Sequence, residues 1–85
     1  MPMKVRLLSA EKEVFSGEAE AVYARSPEGW FGILSGHAPA AFGLVDSPLR
    51  LITASGEVVF QVSSGLVHVG RDEVVILADE VKPGD

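Results

Sequence analysis

Residues 49–62, Leu-Arg-Leu-Ile-Thr-Ala-Ser-Gly-Glu-Val-Val-Phe-Gln-Val, decide the fold class of this chain. Its two runs, 49–54 and 57–62, are rich in β-branched and large apolar residues, which suit a pleated sheet better than a helix. Ser55-Gly56 lies between the runs, and a short turn with glycine joins neighbouring strands. The stretch therefore predicts a β-hairpin with a two-residue turn.

Similar patterns occur on both sides of this hairpin. Residues 66–69 and 73–78 flank Arg71-Asp72 and predict a second hairpin, because both runs are again rich in β-branched residues. Residues 4–8 alternate polar and apolar side chains, which is typical of a half-buried strand.

Two further segments carry more specific expectations. Residues 18–25 alternate throughout, which predicts a single strand with Ala19, Ala21 and Tyr23 on one face. Residues 81–85, Val-Lys-Pro-Gly-Asp, are expected to form a frayed tail.

No stretch of about ten residues shows helical periodicity. About eight to ten short strands, with turn residues every 8–12 positions, predict an all-β sandwich or a flattened barrel. Glycine and proline are spread along the chain with no linker-like segment, so residues 1–85 are expected to form a single domain.

Residues 28–39, Glu-Gly-Trp-Phe-Gly-Ile-Leu-Ser-Gly-His-Ala-Pro, stand apart by their density of glycine. Glycine weakens both strands and helices, so the segment predicts a system of shaped loops. Adjacent residues of an extended chain point to opposite faces, so either one of Trp30 and Phe31 joins the core and the other faces outward, or the domain's own loops cover both rings. An outward aromatic ring is a plausible anchor for a partner protein. His37 is expected either to fix the loop by a hydrogen bond or to contact a partner.

The charge of the chain limits its partners. There are 12 acidic and 7 basic residues, giving a net charge of −5. This balance argues against nucleic-acid binding, which requires a basic surface, and against adsorption to anionic membranes. No apolar run approaches the ~20 residues of a membrane-spanning helix, so direct membrane insertion is not expected. The first residues do not resemble a signal peptide, and the chain is expected to stay in the compartment of its synthesis.

The residue types of catalysis are present without their usual spacing. No serine lies in Gly-x-Ser-x-Gly, and residues 29–36 lack the Lys-Ser/Thr that completes a phosphate-binding loop. The carboxylates at 11, 13, 18 and 20 fit a solvated face, and there is no cysteine. We expect a non-catalytic protein without a cofactor or metal.

Several short motifs together resemble a known family. They are Ser-Ala-Glu and Phe-Ser-Gly within 9–17, Glu-Gly, Gly-Ile and Gly-His-Ala-Pro within 28–39, Leu-Arg-Leu at 49–51, Ser-Gly and Val-x-Val within 64–69, and Val-x-Ile-Leu-Ala-Asp ending at Asp79. In this order they resemble the N-terminal β-sandwich domain of the epsilon subunit of F-type ATP synthases. The resemblance implies a sandwich of two facing antiparallel sheets, each with five strands.

The resemblance also implies a role and a set of contacts. It implies a non-catalytic subunit of the central stalk that binds the gamma subunit and the c-ring, coupling ion translocation to ATP synthesis. Its place would be the cytoplasmic face of the bacterial inner membrane, as a peripheral part of the complex. The residues that it assigns to the c-ring are Glu28, Gly29, Trp30, Phe31 and His37, and those near gamma are Ala40, Ala41 and Phe42.

The sequence departs from the family pattern in three respects. The position of Trp30 is often acidic in relatives, so its contact should be hydrophobic or differently arranged. Residues 45–48, Val-Asp-Ser-Pro, replace a usual Lys-Pro-Gly. Relatives continue into a helical hairpin with inhibitory function, which this chain is expected to lack. The alternatives are a free-standing β-sandwich that binds another protein or a small ligand and, more remotely, a small hydrolase.

Overall fold

The computed structural model describes residues 2–84 and confirms the all-β sandwich. Ten strands account for most of this range, and it contains no helix. The strands are β1 (Met3–Leu8), β2 (Glu13–Ala19), β3 (Ala21–Ser26), β4 (Gly29–Leu34), β5 (Ala40–Leu44), β6 (Ser47–Thr53), β7 (Gly56–Val62), β8 (Gly65–Val69), β9 (Glu73–Ala78) and β10 (Val81–Pro83).

The strands form two five-stranded sheets. The first sheet has the order β2-β1-β9-β8-β5, and the second has the order β10-β7-β6-β3-β4. Neighbours are antiparallel as predicted, with one exception: β1 and β9 run parallel, with Val5 opposite Val74. A parallel pair requires a long connection, and here seven strands lie between its two members.

The core lies between the sheets and is built by alternation. Every second side chain of each central strand points inward, as for Val5 and Leu7 of β1 and Leu49 and Leu51 of β6, all fully buried. Complete burial of such an aliphatic side chain contributes about 1.5–3 kcal/mol. Aliphatic residues therefore hold the sheets together in a domain without cysteine.

Phenylalanine pairs close the two sides of the sandwich. Phe31 of β4 stacks on Phe42 of β5, with ring centroids 4.4 Å apart. On the opposite side Phe15 of β2 meets the edge of Phe60 of β7, with centroids 6.3 Å apart. These four residues are all the phenylalanines of the chain, and each pair joins one sheet to the other.

The prediction of a single strand over 18–25 is wrong. β2 ends at Ala19 in the first sheet, and β3 begins at Ala21 in the second. Between them the backbone N–H of Glu20 donates to the carbonyl of Ile52 at 2.7 Å. The alternation restarts when the chain changes sheets, so Ala19 does not share a face with Tyr23. In β3 the inward side chains belong to Val22 and Ala24, whereas Tyr23 is 36% exposed.

The expected frayed tail is also a strand. Val81–Pro83 forms β10 at the edge of the second sheet, with Val81 opposite Val62 of β7. Gly84 continues the contact by donating its N–H to the carbonyl of Val59 at 3.0 Å. Proline is tolerated here because an edge strand leaves some N–H groups without a ladder partner. The last residue of the expected tail, Asp85, lies outside the described residues.

Both predicted hairpins are confirmed, and one turn is shifted. Thr53 pairs with Gly56, so Ala54-Ser55 forms the β6–β7 turn, one residue earlier than expected. In the β8–β9 hairpin, Gly70 donates its N–H to the carbonyl of Glu73 at 2.8 Å, enclosing Arg71-Asp72 as predicted.

A matched pair of leucines tests the assignment of the core. Leu51→Ala should lower the free energy of unfolding by about 2–5 kcal/mol, because Leu51 is fully buried and its loss leaves a cavity. Leu66→Ala should change it by no more than about 0.5 kcal/mol, since Leu66 is 47% exposed. Urea denaturation followed by circular dichroism measures both. Equal losses would contradict the placement of these two side chains.

Candidate protein interaction site

One long segment lacks charged residues and forms one side of the sandwich. Residues 29–45 contain no Asp, Glu, Lys or Arg, and they include both β4 and β5. Each of these is the last strand of its sheet, and the stacking of Phe31 on Phe42 places them on the same side. We call β4, β5 and the loop 35–39 between them the uncharged side.

The opposite side is protected in ways that the uncharged side is not. Its edge strand β2 carries Glu13 and Glu18, and β10 is only three residues long, with Lys82 and Pro83. Charges, proline and shortness are the usual means by which an exposed strand avoids pairing with other chains. β4 and β5 are five to six residues long and use none of them. The uncharged side therefore has the character of a surface that a partner covers.

The structure confirms that Trp30 and Phe31 point to opposite faces. Phe31 packs against the core, whereas Trp30 is 56% exposed on the outer face of the second sheet. The prediction that residues 28–39 form only loops is wrong for this part, because Gly29–Leu34 is a strand. An edge strand tolerates its glycines here because β3 pairs along its whole length.

Glu28 and Gly29 belong to the tight β3–β4 turn. The hydroxyl of Ser26 donates to the Gly29 carbonyl at 3.1 Å and accepts the N–H of Glu28 at 3.2 Å. Gly29 has φ +128°, a value that other residues rarely adopt. The turn thus holds the exposed Glu28 at one end of β4, next to Trp30.

His37 lies in the loop beyond the other end of β4. Its backbone N–H donates to the Leu34 carbonyl at 3.0 Å, and its ring Nδ1 lies 2.6 Å from the Ala38 carbonyl. Because a carbonyl can only accept, Nδ1 carries the proton of this bond. The ring meets that of Phe42 edge-on, with centroids 6.1 Å apart. The structure thus shows the hydrogen-bonded loop histidine that was one of the two expectations.

The predicted contact residues form two groups. Phe31, His37 and Phe42 come together through the Phe42 ring, and Ala40 and Ala41 precede it in β5. Glu28 and Gly29 are not near His37, because the length of β4, roughly 17 Å at about 3.4 Å per residue, separates them. Ala41 is exposed on the outer face of β5, whereas Ala40 and Phe42 are half-buried.

The sequence interpretation missed a set of residues beside Trp30. Tyr23 lies opposite both Gly32 and Arg50, and its ring covers Gly32 so closely that a Cβ there would be 2.8 Å from the ring. The Arg50 guanidinium lies 5.7 Å from the centre of this ring, and Glu57 forms an ion pair with Arg50. Tyr23, Trp30 and Arg50 border a depression of about 310 Å³. Only the pairing of β3 with β4 and β6 reveals this set.

A second missed surface lies on the outer face of the first sheet. Leu66 and Leu77 are directly opposite each other on β8 and β9, and each is 47% exposed. Farther along this face Arg6 contacts Glu13 at 2.7 Å. The hydrogen bond to this carboxylate, together with its charge, raises the pKa of Arg6 above its ordinary value.

Serine hydroxyl groups form hydrogen bonds to the backbone in several turns. Ser63 accepts the N–H of Glu80 at 2.7 Å, and Ser9 accepts that of Lys12 at 3.2 Å.

Across residues 2–84 no three His, Cys, Asp or Glu side chains are arranged to hold a metal ion. The same range contains no helix with the length and hydrophobicity to cross a membrane.

Comparison with known families decides where this sandwich belongs. The family model of the ATP synthase delta/epsilon chain β-sandwich domain matches residues 2–84. This chain belongs to the ATP synthase delta/epsilon family. Relatives named ATP synthase epsilon chain include those of Brevibacillus brevis (40% identical over 98% of this chain), Chromohalobacter salexigens (43% over 86%) and Frankia casuarinae (38% over 96%).

The delta/epsilon relatives differ in length. The chain spans 64% of the Brevibacillus protein and 52% of the Chromohalobacter protein, but 98% of the Frankia protein.

Two solved structures share the fold. A chain of the mitochondrial ATP synthase of Euglena gracilis, solved as OSCP/F1/c-ring, has a TM-score of 0.90 at 24% identity over 96% of this chain and 53% of its own length. A chain of the mitochondrial ATP synthase of Tetrahymena thermophila, solved as central stalk/c-ring, has a TM-score of 0.80 at 20% identity. The match covers 98% of this chain and 67% of that chain.

Neighbouring aromatic residues provide a test of the two faces of β4. Phe31→Ala should lower the free energy of unfolding by about 2–4 kcal/mol, because it removes the ring that stacks on Phe42. Trp30→Ala should lower it by less than about 1 kcal/mol, since more than half of that side chain is exposed. Circular dichroism is the suitable measurement, because Trp30 is the one tryptophan and its removal abolishes that fluorescence. If Trp30→Ala unfolds the domain, Trp30 belongs to the core.

Proposed function

We propose that this chain is a non-catalytic central-stalk subunit of an F-type ATP synthase. In this role it binds the gamma subunit and the c-ring and couples ion translocation to ATP synthesis. Family membership supports the proposal, and the observation that carries it is the uncharged side. Two adjacent edge strands without a single charge are unusual for a protein that functions alone, because such edges favour pairing with other chains, and a neighbouring stalk subunit would cover them.

The two groups of residues suit two different contacts. We assign Glu28, Gly29, Trp30 and Phe31 to the c-ring, with Trp30 as the exposed anchor at the end of β4. Phe31 contributes indirectly: it packs against the core and so holds β4 in position. If His37 also contacts the ring, the whole edge of β4, roughly 17 Å long, must lie against it.

Ala40, Ala41 and Phe42 are assigned to the gamma subunit. They lie on β5, the edge strand of the first sheet, where small side chains let another backbone approach closely. Ala41 offers its methyl group on the outer face, while Phe42 holds the strand by stacking on Phe31. The contact thus combines a rigid base with a surface free of bulky or charged groups.

A mechanical role agrees with the way the sandwich is built. Torque between ring and stalk passes through a domain only if its parts do not slide against one another. Here each side of the sandwich is joined by an aromatic pair, and the interior is close-packed with aliphatic side chains. The proposal gives no catalytic, cofactor or metal role to any residue.

The proposed location follows from the same assignment. The three named relatives are bacterial, which supports a place at the cytoplasmic face of the bacterial inner membrane, as a peripheral part of the complex. The Frankia relative, of which this chain spans 98%, also bears the name ATP synthase epsilon chain, which supports a stalk role for the β-sandwich.

Charge placed on one edge or the other of the first sheet tests the contact with gamma. Ala41→Glu should weaken binding to the gamma subunit of the same organism at least tenfold, about 1.4 kcal/mol, because a carboxylate would be buried without a partner. Ser16→Glu is the matched control, since Ser16 is an exposed outer-face residue of β2, at the opposite edge of this sheet. Calorimetric titration measures both affinities.

The control should bind with the affinity of the wild type. Arg6 lies opposite Ser16 and can accommodate the new carboxylate, so the variant should remain folded. Equal losses for both variants, or none for either, would refute the placement of gamma on β5. No binding of the wild-type domain to gamma or to the c-ring would refute the stalk role and favour a free-standing binding module.

A further inference from the structure

The outer face of the second sheet differs in charge from the rest of the chain. Although the net charge is −5, the strands of this face carry three basic residues, Arg25, Arg50 and Lys82, and one acidic residue, Glu57; Glu28 lies beyond them in the β3–β4 turn. The outer face of the first sheet has two basic residues, Lys4 and Arg6, against Glu13, Glu18 and Glu73. A positive surface on an acidic domain is a local feature that the overall composition conceals.

The two aromatic residues other than phenylalanine lie on this same face. Trp30 is 56% exposed and Tyr23 is 36% exposed, whereas all four phenylalanines pack between the sheets. Arg25 lies directly opposite Trp30, and Arg50 directly opposite Tyr23. Each exposed aromatic ring therefore has an arginine as its cross-strand neighbour, at a Cβ distance of about 4.5–5.5 Å.

Part of this arrangement is held in place before any partner arrives. The Tyr23 ring rests on the backbone of Gly32, and the Arg50 guanidinium lies over the ring while paired with Glu57. Arg25, in contrast, has no carboxylate within 4 Å anywhere in residues 2–84. The face thus offers a formed aromatic depression and a cation whose charge is not compensated within the described part of the domain.

We propose that Tyr23, Arg25, Trp30 and Arg50 form a docking site for an acidic segment of a partner protein. A carboxylate of this segment pairs with Arg25, and an apolar side chain enters the depression bordered by Tyr23, Trp30 and Arg50. Acidic rather than basic character is required because a lysine or arginine would meet Arg25 and Arg50 at close range. Arginine and aromatic side chains are also the types that contribute most at protein interfaces.

The site deepens the proposed function and rests on it in one respect: the partner is taken to be the rotor component that contacts Trp30. The inference adds the chemistry of that contact. Trp30 with Arg25 as its cross-strand neighbour favours an acidic partner over a basic one.

A peptide titration tests the site without any other subunit. The probe is a capped ten-residue peptide with four glutamates and two leucines, and matched peptides carry glutamine or lysine in place of glutamate. Trp30 fluorescence and the indole N–H resonance of Trp30 report occupancy. We expect the glutamate peptide to bind at least tenfold more tightly than the glutamine peptide, and the lysine peptide not to bind. Raising NaCl from 50 to 500 mM should weaken binding severalfold.

Variants assign the effect to the arginines. Arg25→Glu should weaken binding of the glutamate peptide at least tenfold, and Arg25→Lys by a smaller factor. Arg71→Glu, a change of the same charge in the β8–β9 turn, beside Leu34 at the opposite end of β4 from Trp30, should have no effect. The inference is overturned if no peptide binds at millimolar concentration, if the glutamine peptide binds equally well, or if Arg71→Glu matches Arg25→Glu. It is also overturned if inorganic pyrophosphate or ATP occupies the site more tightly than the peptide.

The assembled complex separates this inference from the stalk role. If wild-type domain and Arg25→Glu bind the c-ring and the gamma subunit equally well, the stalk role stands and the acidic partner is refuted. If the wild-type domain binds neither, the stalk role fails, and the peptide titration still decides whether the site accepts an acidic segment.

Discussion

The stacking of Phe31 on Phe42 is the contact on which both the fold and the candidate interface depend. Two sheets of short strands leave the core open at the sides, and this pair closes one of them at a centroid distance of 4.4 Å. The same two residues belong to the edge strands β4 and β5, which bear the uncharged surface. The same contact therefore closes the core and holds β4 and β5 in a defined position at the edges of the sheets.

Alternation along β4 lets a single strand serve the core and the surface at once. Phe31 and Ile33 point inward, while Trp30, Gly32 and Leu34 form part of the outer face. Because successive side chains of a strand point to opposite faces, a change at one position need not disturb the next. The outer face of β4 can thus vary in chemistry, as with tryptophan at position 30, without cost to the interior.

Local features of the sequence were enough to predict the hairpins, since turn residues and flanking alternation lie within a dozen positions. They also predicted that Trp30 and Phe31 diverge. The failures involve distant partners. The break at Glu20 depends on the carbonyl of Ile52, and β10 exists because β7 offers it an edge. The Tyr23–Arg50 contact requires the register of β3 against β6, which no local pattern encodes. The family resemblance supplied the two-sheet arrangement that the residues alone left open.

The acidic net charge of the chain disfavours self-association through the uncharged side. Two unprotected edge strands would favour pairing between copies of the free domain. A net charge of −5 opposes such encounters by mutual repulsion, and its acidic residues lie outside residues 29–45. Repulsion of this kind acts between identical copies, whereas the basic residues on the outer face of the second sheet offset it locally toward a partner. The charge distribution therefore disfavours self-association while leaving the uncharged side free for assembly.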